Sequence, residues 1–277
     1  MKDYKGLAGL DFDGTLYSPR SGFSEKNRKA LHSLKECGIC RAIVTGRNLA
    51  SFKKVTSSLA LPIDYLIFST GAGILNWETG ELIHSNTLPA PDVNKIRKVL
   101  IDEQLDFMIQ KEIPENHEFY YYRHNKNNSD FEARLTLYND GALPLREMPP
   151  KTRASQFVAI LPPGKPIPEQ VQKKLVNYSL IRATSPMDHT SIWLEIFPEN
   201  VNKGNGINWL QNYLNLENKL SMSIGNDYND LAMLHHTNQA WIVENGPEEL
   251  KKVFKTTASC EDGGVSTAIN DWLSSIF

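Results

Sequence analysis

The chain has 277 residues, 40% of them hydrophobic and 22% charged, with a formal net charge of −2. That size suits one large domain or two moderate ones, and the composition is that of a soluble globular protein. The near-neutral charge gives no bulk attraction to nucleic acid or to acidic membrane, and no run reaches the ~20 apolar residues of a membrane helix, so neither is an expected partner.

The chain reaches Asp3 and Asp11 without the apolar core of a signal peptide, and the cytoplasm is the expected compartment. Leu7-Ala8-Gly9-Leu10 reads as a buried strand that ends on Asp11-Phe12-Asp13-Gly14. Two carboxylates one residue apart at a strand tip repel each other unless something compensates. A Mg2+ ion, which prefers oxygen ligands, is the simplest compensation. One Asp can then serve as nucleophile and the other can move a proton. Taken alone, Asp-x-Asp-Gly could also be an ordinary turn. An EF-hand loop is excluded, because counting from Asp11 the twelfth position is Gly22, where a bidentate Glu is required.

Ser24 reads as the N-cap of a helix through Ala30, Leu31 and Leu34 that stops at Gly38. Cys37 and Cys40 form a lone C-x-x-C at a helix end and a strand start, which reads as packing; three cysteines make no disulfide framework. Cys40 to Val44 is a second strand, tipped by Thr45-Gly46-Arg47. The Thr45 hydroxyl and the N–H groups of the turn at Gly46, before a helix from about Leu49 to Leu59, suit a phosphate, with Arg47 a candidate substrate contact. Asp64 to Ser69 is a third strand, and Gly71 to Ile83 reads as a hairpin. Strands alternating with helices imply a parallel sheet of βαβ units.

At Leu88-Pro89-Ala90-Pro91 the texture changes. From there the expected elements are a helix from Val93 to Leu105, strands including Glu118 to Arg123 and Phe131 to Leu137, and a strand from Gln156 to Leu161. A helix from Pro168 to Tyr178 and a short strand from Leu180 to Ala183 follow. Asn125 to Asn128 and Leu161 to Gly164 read as turns. This is α+β texture, so the fold class is α/β: a parallel-sheet core (1–87 and 187–277) with an inserted α+β domain (88–186). A segment so placed is expected to act as a lid over Asp11.

The α/β texture is expected to resume at Ser191 to Ile196. Lys203-Gly204 opens a helix through Ile207, Leu210 and Leu214. Leu220 to Ile224 is a strand tipped by Gly225-Asn226-Asp227-Tyr228-Asn229-Asp230, and one more strand lies at Ala240 to Val243. Three of the polar clusters thus stand at strand tips, where open parallel sheets bind ligands, and Lys203 could reach the same rim. Together they offer a nucleophile, a proton carrier, a hydroxyl, a cation and oxygen ligands, and phosphoryl transfer needs little more. No Walker sequence occurs, which excludes a P-loop NTPase.

In order and spacing, Asp11-Phe12-Asp13-Gly14-Thr15-Leu16, Thr45-Gly46-Arg47, Gly71-Ala72-Gly73-Ile74, Lys203-Gly204 and Gly225-Asn226-Asp227-Tyr228-Asn229-Asp230 resemble the haloacid dehalogenase (HAD) phosphatases, in particular their Cof-type branch. The resemblance implies a Rossmann-like core with a C2B cap. It implies that Asp11 attacks phosphorus, and that Asp13 protonates the leaving group and then activates water. Thr45, Gly46, Lys203 and Asn229 would hold the phosphate, and Mg2+ would be bound by Asp11, the Asp13 main-chain carbonyl and the last motif. There the family usually carries Asp directly after the glycine; this chain has Asn226, with Asp227 one place later. Asn226 is the expected ligand, because the register to Asn229 and Asp230 is otherwise intact, and Asp230 is expected to orient a metal-bound water or Lys203. The expected function is a Mg2+-dependent phosphatase of a small phosphate ester, sugar phosphates foremost, as a monomer or homodimer. The alternatives are a phosphomutase or a catalytically weak binding protein on the same fold.

Overall fold

The structure is a computed structural model and describes residues 3–124, 127–185 and 187–276. The first elements are β1 (Gly6–Asp11), α1 (Glu25–Glu36), β2 (Ile39–Val44), α2 (Leu49–Thr56), β3 (Tyr65–Phe68), β4 (Gly73–Asn76) and β5 (Leu82–Ser85). Next come α3 (Ala90–Asp102), β6 (Asp106–Gln110), β7 (Phe119–Tyr122), α4 (Ser129–Leu137), β8 (Ala142–Pro144), β9 (Gln156–Leu161), α5 (Glu169–Lys174), β10 (Ser179–Thr184) and β11 (Ile192–Phe197). The last are α6 (Lys203–Tyr213), β12 (Ser221–Gly225), α7 (Leu231–His236), β13 (Gln239–Val243), α8 (Glu248–Lys251), β14 (Lys255–Thr257) and α9 (Gly264–Ile276). They form two compact units: Met1–Arg47, Phe52–His84 and Asn202–Phe277 in one, Ser85–Val201 with Asn48–Ser51 in the other.

The first unit is an eight-stranded sheet in the order β14-β13-β12-β1-β2-β3-β4-β5. From β14 to β3 neighbours run parallel, and β4 turns back antiparallel on β3. All six residues of β1 are buried, as a strand covered on both faces must be. Asp11 pairs with Val44 and Leu10 with Ile224, so the tips of β1, β2 and β12 end level. The Ser24 hydroxyl caps α1 by accepting from the Asn27 N–H, and Gly38 ends it at φ +75°. Ile207 and Leu210 of α6 and Met233 of α7 pack on Leu7, Val44 and Ile67 of the sheet. Full burial of such side chains contributes about 1.5–3 kcal/mol each. Gly204 lets α6 meet α7, since a Cβ there would sit 2.3 Å from the Ala232 carbonyl oxygen.

The second unit is a six-stranded, mainly antiparallel sheet in the order β10-β11-β9-β6-β7-β8. Val93, Ile96 and Leu100 of α3 and Val171 of α5 cover Phe107, Phe157, Leu194 and Ile196 on one face. Phe131 of α4 covers Met108, Phe119, Val158, Ile160 and Trp193 on the other.

Two expectations are corrected here. Ile192–Phe197 does not return to the parallel sheet: β11 pairs antiparallel with β9 and β10. Phe131 to Leu137 is helical. Alternating Phe131, Ala133, Leu135 and Leu137 suggested a strand, but the Asn128 side chain accepts from the Phe131 N–H, and Asp130 and Glu132 stand in the first turn. A capped start with acids near the helix N-terminus outweighs the alternation. The segments β6 and β14 had no separate expectation. Asn125 and Lys126, read as part of a turn, and Pro186, read as a domain limit, lie outside the described residues.

Candidate active site

The site is built at the level tips of β1, β2 and β12. Asp11 ends β1 with 4% of its surface exposed, and the loop behind it closes on itself: Tyr17 N–H donates to the Phe12 carbonyl and Gly14 N–H to the Tyr17 carbonyl. Lys203, the first residue of α6, is 1% exposed, and its Nζ donates to Asp11 Oδ1 at 2.7 Å and to Asp230 Oδ1 at 2.6 Å. The Asn202 side chain caps this helix by accepting from the Asn205 N–H. Asp230, fully buried, uses its other oxygen to accept from the N–H groups of Asn226 (2.8 Å) and Asp227 (3.0 Å). One lysine thus ties β1, α6 and the turn after β12 into a dry charge cluster.

The electrostatics follow from that dryness. Burial, reinforced by the Asp230 charge, pushes the Asp11 carboxyl up to about 7, although Lys203 pulls the other way. Burial alone would pull the Lys203 ammonium down, but the charges of Asp11 and Asp230 hold it above its ordinary value. The second oxygen, Asp11 Oδ2, is buried and accepts no hydrogen bond.

The tip of β2 completes the rim. Thr45 is buried, its Oγ1 accepts from the Arg47 N–H at 3.1 Å, and its main chain bonds to Ile67 and Thr70. A Cβ at Gly46 would lie 3.9 Å from Asn229 Nδ2 and 3.6 Å from Thr70 Oγ1, so Asn229 faces the Thr45-Gly46 turn. Arg47, a candidate substrate contact in the sequence, places Nε on Asp13 Oδ2 and Nη2 on Asp13 Oδ1, both at 2.7 Å.

Asn226 lies against the Asp11–Asp13 loop, its Nδ2 2.4 Å from where a Gly14 Cβ would stand. Asp227 faces its own turn: its side chain accepts from the Tyr228 N–H at 2.7 Å and caps Tyr228–Asp230. Among the described residues no group of three His, Cys, Asp or Glu side chains is placed to hold a metal. The Asp11 and Asp13 carboxylates at this rim are hard oxygen donors, a chemistry that suits a hard cation such as Mg2+.

Sequence reasoning passed over two features. Asn245, after β13, donates from Nδ2 to the Gly14 carbonyl at 2.9 Å and accepts from the Cys260 N–H at 2.9 Å, staking the loop that carries Asp13. Ser69 and Thr70 are buried non-glycine residues at φ +48° and +59°, and Ser69 N–H donates to the Arg47 carbonyl. The next residue, Gly71, sits at φ +104° where a Cβ would be 2.4 Å from the Asn202 carbonyl oxygen. Backbone held in such conformations clusters at functional sites. Here it joins the β2 tip to the start of the Lys203 helix. The sequence hinted at this only through Gly71.

Residues 9–269 match the haloacid dehalogenase-like hydrolase family. A Streptococcus pyogenes serotype M6 protein, named provisionally as a phosphatase, is 26% identical over 272 residues, covering 96% of this chain and 98% of its own. The HMP-PP phosphatase of Escherichia fergusonii is 25% identical over 289 residues, covering 96% of this chain and 95% of its own. The solved structure of the HAD subclass IIB sugar phosphatase BT4131 has a TM-score of 0.74 at 18% identity, over 97% of this chain and 98% of its own. BT1666 of Bacteroides thetaiotaomicron, a HAD-superfamily phosphatase, has a TM-score of 0.76 at 20% identity, over 97% and 95%. At those identities the two structures show a shared fold. No helix among the described residues is long and apolar enough to cross a membrane. Matched from residue 9 to residue 269, the chain belongs to the haloacid dehalogenase-like hydrolase family, in its Cof-type phosphatase branch.

Proposed function

We propose that the protein is a Mg2+-dependent phosphatase that hydrolyses small phosphorylated metabolites, sugar phosphates foremost, through an aspartyl-phosphate on Asp11. The observation that carries this reading is the Asp11–Lys203–Asp230 cluster: a buried carboxylate, one oxygen held by a lysine and the other accepting nothing. Asp11 Oδ2 attacks phosphorus, because Lys203 leaves that oxygen available and keeps the carboxylate oriented. Lys203 and the Thr45 hydroxyl bind phosphoryl oxygens, with Gly46 N–H and the Asn229 amide completing the cradle. Asp13 gives a proton to the departing ester oxygen and then takes one from the water that attacks the aspartyl-phosphate. Asp230 keeps Lys203 in place. Asp11, the Asp13 main-chain carbonyl and Asn226 would hold Mg2+, which when bound neutralises charge shared between the carboxylates and a phosphate dianion.

The sugar-phosphate class is supported by the name of one structural relative, while a relative of similar sequence is named HMP-PP phosphatase. The test is turnover of p-nitrophenyl phosphate and of a panel of sugar phosphates with and without Mg2+. Asp11→Asn should abolish turnover while the fold survives, since the amide keeps the volume and loses the nucleophile. Turnover near wild type in that variant, or full activity after exhaustive chelation, would defeat the covalent and the metal-dependent parts respectively.

A further inference from the structure

We propose that Arg47 is a positioning residue, acting on the reaction through Asp13, and not a contact to the phosphate of the substrate. The inference rests on the reading of the protein as an aspartate-nucleophile phosphatase. Its starting point is that the guanidinium is already committed: Nε meets Asp13 Oδ2 and Nη2 meets Asp13 Oδ1, each at 2.7 Å. A planar fork on both carboxylate oxygens fixes the plane as well as the position of the acid, which a lysine cannot do.

The base of the fork is rigid. Arg47 N–H donates to Thr45 Oγ1, and its carbonyl accepts from Ser69 N–H at 2.8 Å, so the residue is clamped at both ends of its main chain. Asp13, by contrast, needs holding. Its side chain is 44% exposed and it precedes Gly14, which sits at φ +76°. Without a partner such a side chain samples several rotamers. The opposite side of the rim carries its own cation, Lys203, already on Asp11. The two cations therefore divide the carboxylates between them: Lys203 orients the nucleophile and Arg47 orients the proton carrier.

The chemistry assigns a distinct task to that fork. In the first step a bond forms between Asp11 and phosphorus, the ester P–O bond breaks, and the departing oxygen takes the proton from the Asp13 carboxylic acid. In the second, the oxygen of water bonds to phosphorus, its proton goes to the Asp13 carboxylate, and the bond to Asp11 breaks. The proton is on one Asp13 oxygen at the start of each cycle; a protonated oxygen keeps a lone pair and can still accept from the guanidinium, so the fork can hold Asp13 in place both as acid and as carboxylate. Loss of the fork harms proton delivery to a poor leaving group most, because a good one departs without a proton.

The test compares kcat/KM for p-nitrophenyl phosphate and phenyl phosphate, whose leaving groups are alike in shape and far apart in acidity, in wild type, Arg47→Lys and Arg47→Gln. This quantity reports the steps up to departure of the leaving group. The ratio of nitrophenyl to phenyl should rise about tenfold or more in both variants, as misplacement of a general acid predicts. Competitive inhibition by inorganic phosphate should stay within about threefold in Arg47→Lys, which keeps the charge but not the fork. A parallel fall on both esters with weakened phosphate inhibition would show that Arg47 binds the substrate, and an unchanged ratio would show that it does not position Asp13. Either result overturns the inference while leaving the phosphatase reading intact; absence of wild-type turnover on both esters would end that reading itself.

Discussion

Replacing Lys203 with methionine isolates the central charge cluster. The ammonium is buried with 1% of its surface exposed and holds two carboxylates at 2.7 and 2.6 Å, so methionine keeps most of the volume and removes the positive charge between them. Breaking a buried ion pair from one side costs about 3–5 kcal/mol. At about 2–4 °C per kcal/mol for a chain of this size, the unfolding midpoint should fall by roughly 6–20 °C. The loss should also depend on pH. Asp11, already pushed up to about 7, loses the positive charge that restrains it and rises further. A carboxyl whose folded-state value lies above its unfolded one stabilises the fold at low pH, and that contribution is lost as pH rises toward the folded-state value. The deficit of Lys203→Met against wild type should therefore be smaller at pH 5 than at pH 7.5, by up to about 1 kcal/mol at 1.4 kcal/mol per pH unit, because Asp11 of the wild type itself ionises only as pH passes about 7. The assay is thermal or urea unfolding of metal-free protein at both pH values, with turnover measured in parallel and expected to drop at least about 100-fold. An unchanged midpoint at pH 7.5, or a deficit independent of pH, would refute the view that Lys203 compensates Asp11 and Asp230.

Three further outcomes follow from the same geometry. Asn226→Asp should lower the Mg2+ concentration for half-maximal activity several-fold, whereas Asp227→Asn, whose side chain caps Tyr228–Asp230, should change it little; the reverse pattern in a Mg2+ titration would make Asp227 the ligand. Asn245→Ala should reduce kcat with little change in the unfolding midpoint, because it releases the Gly14 carbonyl behind Asp13; kinetics equal to wild type would show that the loop needs no stake. Burial would raise the Asp64 carboxyl, but hydrogen bonds from the Arg41 side chain and N–H hold it below its usual range, so its stabilisation is present at neutral pH and lost as pH falls through the folded-state value. Asp64→Ala should therefore cost about 3–5 kcal/mol at pH 7 in urea unfolding and progressively less on acidification below about 4; a pH-independent cost would count against the pairing.

The sequence alone determined the strands that carry the candidate chemistry. Leu7–Leu10, Cys40–Val44 and Met222–Ile224 are short, mainly apolar runs, with Arg41 and Ser223 the polar members, and each leads into polar residues with a glycine close by. A strand covered on both faces is mostly apolar, and its reactive groups appear where it emerges; both requirements are local and therefore visible in one chain. Which strand pairs with which is not local. Ile192–Phe197 would be an equally good buried strand in either sheet, and only its backbone pairing with Gln156–Leu161 and Ser179–Thr184 put it in the insert. Phe131 and Leu135 fit strand and helix periods alike until the Asn128 cap decided between them. The register of the motif favoured Asn226 over its neighbour Asp227, and the turn gives the two different surroundings, Asn226 against Gly14 and Asp227 accepting from the Tyr228 N–H. The pairings of Arg47 with Asp13 and of Asn245 with Gly14 join residues 34 and 231 positions apart. Side chains so distant carry no mutual signal in composition or spacing; the level ends of parallel strands brought them together, and that register is a property of the packed sheet.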